Sequence, residues 1–217
     1  MPHVVLLGDS IFDNQAYVQR GEPDVVHQLR QRTPAGWQAT LLAVDGSVTA
    51  DVPRQLARLP QDATHLVLSV GGNDALGQMG TLNETTPSVA HAFARFAVIQ
   101  DQFETNYQRM LDAVLARGLP LAVCTIYNGA FPDAGYQRVV TLGAAVYDDV
   151  ILRAAATRGL PALDLRLVCA HPADYANPIE PSATGGARIA DSIVALLTTH
   201  DFARDGARVY GPPASGV

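Results

Sequence analysis

Positive charge is scarce in this chain, and cysteine is scarcer. Of 217 residues, 15 are Lys or Arg against 21 Asp and Glu, a net charge of −6 at neutral pH. The basic positions are arginines spread along the chain. They form no stripe that would neutralise a run of phosphates, which argues against nucleic acid as a main partner. The two cysteines, Cys124 and Cys169, are too few and too far apart for a disulfide framework or a metal motif. Cys124 lies in an apolar run and reads as core. A bond between the two stays open, and a reducing, cytoplasmic setting is the expectation. No apolar run reaches the roughly 18 residues that a membrane-spanning helix needs. The opening MPHVVLLGDS has no basic segment and only four consecutive apolar residues. It reads as a buried strand and not as a secretion signal.

Core material, by contrast, is plentiful. Hydrophobic residues make up 48% of the chain and charged residues 17%, and the length suits one α/β domain. The expectation is a single domain over residues 1–205 and a flexible tail over the Gly/Pro/Ser-rich 206–217. Five apolar runs recur, at 3–7, 38–44, 66–70, 121–126 and 162–165. They do not alternate with polar residues, so they read as strands covered on both faces, as in a parallel sheet. The segments between them have helical spacing. In the last, Ile189, Ile193, Leu196 and Leu197 share a face. Residues 88–117 read as one long helix or as two with a break. Arg117-Gly118-Leu119-Pro120 and Arg158-Gly159-Leu160-Pro161 each close a helix and open a strand. Strands alternating with helices imply right-handed crossovers and a doubly wound sheet of five parallel strands.

Ligands of such a sheet sit beyond the carboxyl ends of its strands. Those positions hold Gly8-Asp9-Ser10, Asp45-Gly46-Ser47, Gly71-Gly72-Asn73-Asp74, Tyr127-Asn128 and a long loop, 166–184. Singly, each is ordinary turn and capping chemistry. Together, a Ser, a Gly and an Asn at the ends of three successive strands suit acyl transfer. Ser10 would attack a carbonyl carbon. The Ser10 and Gly46 N–H groups and the Asn73 amide would hold the developing oxyanion. Phe12, Tyr17, Tyr127 and Phe131 would line a pocket or belong to the core, and Asp13-Asn14 would begin a helix or line the rim.

Gly8-Asp9-Ser10, Gly46 and Gly71-Gly72-Asn73-Asp74 resemble, in order and strand context, the first three motif blocks of the SGNH (GDSL-type) hydrolases. The resemblance implies a flavodoxin-like, three-layer α/β/α sandwich. It also implies an esterase-, lipase-, thioesterase- or deacetylase-like activity on a small-molecule ester, with no metal and no other cofactor. It assigns Ser10 as nucleophile and Gly46 and Asn73 as oxyanion donors. The chain departs from the pattern in the last block, ahead of the final helix. Where the family has Asp and His three residues apart, this chain has Asn177 and Glu180.

Three accounts of the missing histidine stay open. Glu180 is the base, although a carboxylate with an ordinary pKa of ~4.3 accepts a serine proton poorly unless burial raises it. Asn177 would then hold that carboxylate by hydrogen bonds without needing a charge. Alternatively, His171 folds back from the same loop, with Asp174 or Asp164 orienting it. In the third account the site binds a ligand without turning it over. Arg54, eight residues after Gly46, is expected to reach the site and pair with Glu180 or Ser10. Asp9 is expected to be tied to backbone N–H groups in the nucleophile turn.

Overall fold

The computed structural model describes residues 1–213. Its strands are β1 (His3–Gly8), β2 (Gln38–Leu41), β3 (His65–Ser69), β4 (Leu121–Cys124), β5 (Ala162–Leu163) and β6 (Val209–Tyr210). Its α-helices are α1 (Val25–Arg32), α2 (Val52–Gln55), α3 (Gly72–Leu76), α4 (Val89–Leu115), α5 (Ala134–Arg158), α6 (Leu165–Val168) and α7 (Ala183–Thr199). The strands pair in the order β2-β1-β3-β4-β5-β6, every pair parallel.

Continuous apolarity in the strands has the expected cause. In β1, Val5 and Leu7 join a core cluster with residues of α2, α4 and α5, whereas Val4 and Leu6 join a second with α1, α6 and α7. The inner strands β1, β3, β4 and β5 are covered on both faces, so both side-chain sets are apolar, whereas the edge strands β2 and β6 are partly exposed. The result is an α/β/α sandwich. The stretch from 88 to 117 is one helix, α4, capped by the Ser88 side chain. The two Arg-Gly-Leu-Pro linkers cap helices with Gly118 at φ +68° and Gly159 at φ +69°. Cys124 and Cys169 are both free and buried. Among the described residues, no helix is long and apolar enough to cross a membrane.

The strand count is corrected to six. Within the expected tail, Ala162 and Asp164 donate backbone hydrogen bonds to Arg208 and Tyr210, 2.9 and 2.8 Å long. The Tyr210 hydroxyl lies 3.0 Å from His200 Nδ1. The two-residue strand β6 satisfies backbone groups that β5 would otherwise leave open at the sheet edge. Its Gly/Pro-rich surroundings hide it from a reading based on composition. Residues 214–217 of the expected tail lie outside the described residues.

Candidate active site

The site begins where β1 ends. Gly8 has φ +124°, and a Cβ there would lie 1.7 Å from the Ser69 carbonyl oxygen. Only glycine can make this turn. The neighbouring backbone is tied down on several sides. Asp9 N donates to Ser69 O at 3.1 Å, and Val44 N donates to Gly8 O at 3.1 Å. The buried Gln55 side chain accepts from Gly8 N at 2.8 Å and donates to Gly8 O at 2.7 Å. Ser10 is thereby held just past the sheet edge, 7% exposed.

The turn after β2 is braced from both sides. Asp13 accepts from Asp45 N at 3.0 Å, and the Tyr17 hydroxyl donates to Asp45 Oδ2 at 2.7 Å. Opposite, Asp74 accepts from the backbone and hydroxyl of Thr49, and Asn73 Nδ2 donates to Ser47 O at 3.0 Å. That bond uses one of the two amide hydrogens of Asn73 and leaves the other for a ligand. The backbone N–H groups of Ser10 and Gly46 have no acceptor among the described residues. These are unspent donors of the kind an oxyanion needs.

Glu180 enters from the loop before α7. Asn14, wholly buried, donates to Pro181 O at 3.0 Å and accepts from Val25 N at 2.9 Å. The Tyr127 hydroxyl donates to Ile179 O at 2.6 Å, and Ala176 N donates to Glu180 O at 2.8 Å. Tyr175 and Pro181 form an antiparallel bridge, and Ser182 caps α7 through Gly185 N. The loop is thus fixed on both sides of Glu180, whose side chain turns inward and is 5% exposed.

Ser10, Asn73, Glu180 and Asp9 line one cavity of about 880 Å³, open solvent at its mouth included, whose other walls are mainly apolar. Burial pushes the Glu180 carboxyl up to about 7, with Asp45 adding to the shift and the Ser10 hydroxyl opposing it. Glu180 Oε2 is buried without a hydrogen-bond partner among the described residues. Burial also pushes Asp9 up to about 8, against the hydrogen bond from Ile11 N and with the charges of Glu180 and Asp74 reinforcing it. A carboxyl poised near neutrality beside a serine can accept its proton and return it.

Three expectations need correction. The Arg54 side chain is 85% exposed and pairs with Asp51 at 3.1 Å, with no hydrogen bond or ion pair to Ser10 or Glu180 among the described residues. The phase of the short helix explains this. Val52, Gln55 and Leu56 face the core, which turns Arg54 outward. The residue from this helix that supports the site is its neighbour Gln55, whose signal was a polar side chain at a core-facing position. His171 is exposed, and its backbone N–H binds Asp174 at 2.9 Å. Asn177 does not hold the Glu180 carboxyl. Its Oδ1 accepts from the backbone N–H groups of Ile179 and Glu180, at 2.9 and 3.0 Å, and so shapes the turn. Gly46 does not line the cavity but a separate shallow hollow, together with Asp45, Ser47 and Arg54. Asn14 also went unrecognised; nothing local in the sequence marks a contact with Pro181, 167 residues away.

The sequence profile of the GDSL-like lipase/acylhydrolase family matches residues 6–188. The chain belongs to that family, and membership supports a hydrolase of the GDSL kind. None of the curated proteins matches it. Solved structures share its fold. An extracellular lipase of Streptomyces rimosus is 17% identical with a TM-score of 0.66, over 93% of this chain and 100% of that one. A phospholipase A1 of Streptomyces albidoflavus NA297 is 18% identical with a TM-score of 0.64, over 92% and 99%. An aryl esterase of M. smegmatis is 12% identical with a TM-score of 0.64, over 92% and 99%.

Proposed function

We propose that the protein is a serine esterase that hydrolyses small or medium carboxylic esters, such as short-chain acyl esters or lysophospholipids, with Glu180 as its general base. The observation that carries this reading is the meeting of the Ser10 hydroxyl, the Asn73 amide and a buried Glu180 carboxyl, raised to about 7, in one largely apolar cavity. Ser10 Oγ attacks the acyl carbon while Glu180 takes its proton. Asn73 Nδ2 and the N–H groups of Ser10 and Gly46 hold the oxyanion. Glu180 then protonates the departing alkoxide, leaving an acyl-serine. Water repeats the sequence, with Glu180 again as base, and releases the carboxylic acid and free Ser10. No charged partner for Glu180 is needed, because its pKa is set by burial and not by an orienting carboxylate.

The test is release of p-nitrophenol from acyl esters by wild type against Ser10→Ala. Loss of turnover in a variant with an unchanged circular dichroism spectrum supports the reading. Equal rates in the two proteins remove it.

A further inference from the structure

We infer that the apolar arm of this cavity seats the ester's acyl chain and that Gly143, on α5, sets how long a chain it admits; the inference rests on Ser10 being the nucleophile. The cavity has a polar end and an apolar one. Ser10, Asn73 and Glu180 mark the first, whereas Leu76, Met79, Phe96, Ile99, Val140 and Gly143 wall the second. Glu180 must hand its proton to the leaving oxygen, so the alcohol lies on the side of the 177–181 loop. The acyl chain then runs the other way, along α3 and between α4 and α5.

Gly143 is the unusual member of that wall. It sits well inside the 25-residue helix α5, where glycine weakens a helix relative to alanine. Gly129, which also lines the cavity, has φ +69° and would bring a Cβ within 2.6 Å of Pro178 O. Neither reason holds at Gly143. Its φ is not positive, and an added Cβ would meet nothing within 4 Å beyond its chain neighbours and the backbone of its own helix. Packing of the folded chain makes no use of that space. Gly143 lines the cavity, so a side chain there would compete with a bound chain for room. Just outside, Phe93 on α4 and Val139 and Leu142 on α5 are exposed. These exposed apolar side chains lie within three residues of cavity-lining positions on the same two helices.

The experiment compares wild type, Gly143→Ala and Gly143→Leu on p-nitrophenyl esters from acetyl to decanoyl, and on acetates of n-alcohols of matching length. Each methylene buried in the acyl arm should raise kcat/KM about fourfold until the arm is full. Gly143→Leu should lower the decanoyl-to-acetyl ratio at least tenfold. Gly143→Ala should fall between and raise Tm by about 2–4 °C, as a strain-free gain in helix propensity would. An unchanged acyl ratio in folded Gly143→Leu overturns the inference, as does a shift confined to the alcohol series. Should Gly143→Leu not fold, the Gly143→Ala ratio decides in the same way. Calorimetric binding of decanoate separates this inference from the esterase reading. If no ester is turned over above the Ser10→Ala control, decanoate binding to Ser10→Ala that weakens at least tenfold on adding Gly143→Leu upholds the acyl arm. Absence of binding overturns it.

Discussion

Replacing Glu180 by Gln should make the protein slower and more stable at once. The amide keeps the shape of the side chain but cannot take a proton from Ser10, so kcat/KM should fall by about 10²–10⁴ at pH 8. In wild type, the rate should rise with pH through a limb near 7, where the carboxyl loses its proton. In the variant, that limb should disappear. The stability effect has the opposite sign. Glu180 is held above its ordinary value, so the folded state binds its proton more tightly than the unfolded chain does. This favours folding at low pH, and the advantage is lost as pH rises from 4.5 to about 7. At ~1.4 kcal/mol per unit the shift sets an upper bound of about 3 kcal/mol. The carboxyl lines an open cavity, and screening by solvent reduces this to about 1–2 kcal/mol. Glu180→Gln should therefore melt a few degrees above wild type at pH 8, with the difference shrinking toward pH 5. Thermal melts across that range and pH–rate profiles on p-nitrophenyl acetate read both effects. Full activity in the variant would place the base elsewhere. A variant less stable than wild type at pH 8 would mean that the ionised carboxylate is well satisfied, contrary to its unpartnered Oε2.

Three further outcomes follow from the same geometry. Asn73→Ala should lower kcat by about 10²–10³ with little change in KM, because on the proposed mechanism it removes an oxyanion donor; equal losses at acetyl and longer esters are expected, and a pure KM effect would refute the role. Asp9→Asn should keep the bond from Ile11 N while removing a carboxyl held up at about 8 by burial. Both proteins share the loss that comes from Glu180, but wild type should lose more stability than the variant as pH climbs toward that value; parallel melting curves from about pH 6 to 9 would contradict the assignment. Arg54→Ala should leave kcat/KM within about twofold and stability within ~0.5 kcal/mol, since an exposed ion pair contributes little; a marked change in the pH–rate profile would restore Arg54 to the site.

Much of this protein was legible from local pattern. Strands buried on both faces must be apolar throughout, so runs such as VVLL and LVLSV announced a parallel sheet, and the positions after them marked where a candidate site would lie. Gly8-Asp9-Ser10 and Gly72-Asn73 carry their own turn chemistry, which short-range sequence determines. Glu180 could be located by its distance from α7, but its character could not. A carboxylate becomes a usable base only through burial, and burial depends on Asn14 and Tyr127 closing the loop from distant parts of the chain, with Tyr175 bridging it from within. The choice between Arg54 and Gln55 turned on the phase of one helical turn against the sheet, about 100° per residue, and four residues are too few for a pattern to set it. Strand β6 needed the open edge of β5, whose unpaired N–H donors are in place only after the rest has folded. That a Cβ added at Gly143 would meet open space is likewise a property of the packed chain. Sequence sets what each segment prefers locally; the distances between segments, and with them every pKa and cavity in the site, belong to the packed whole.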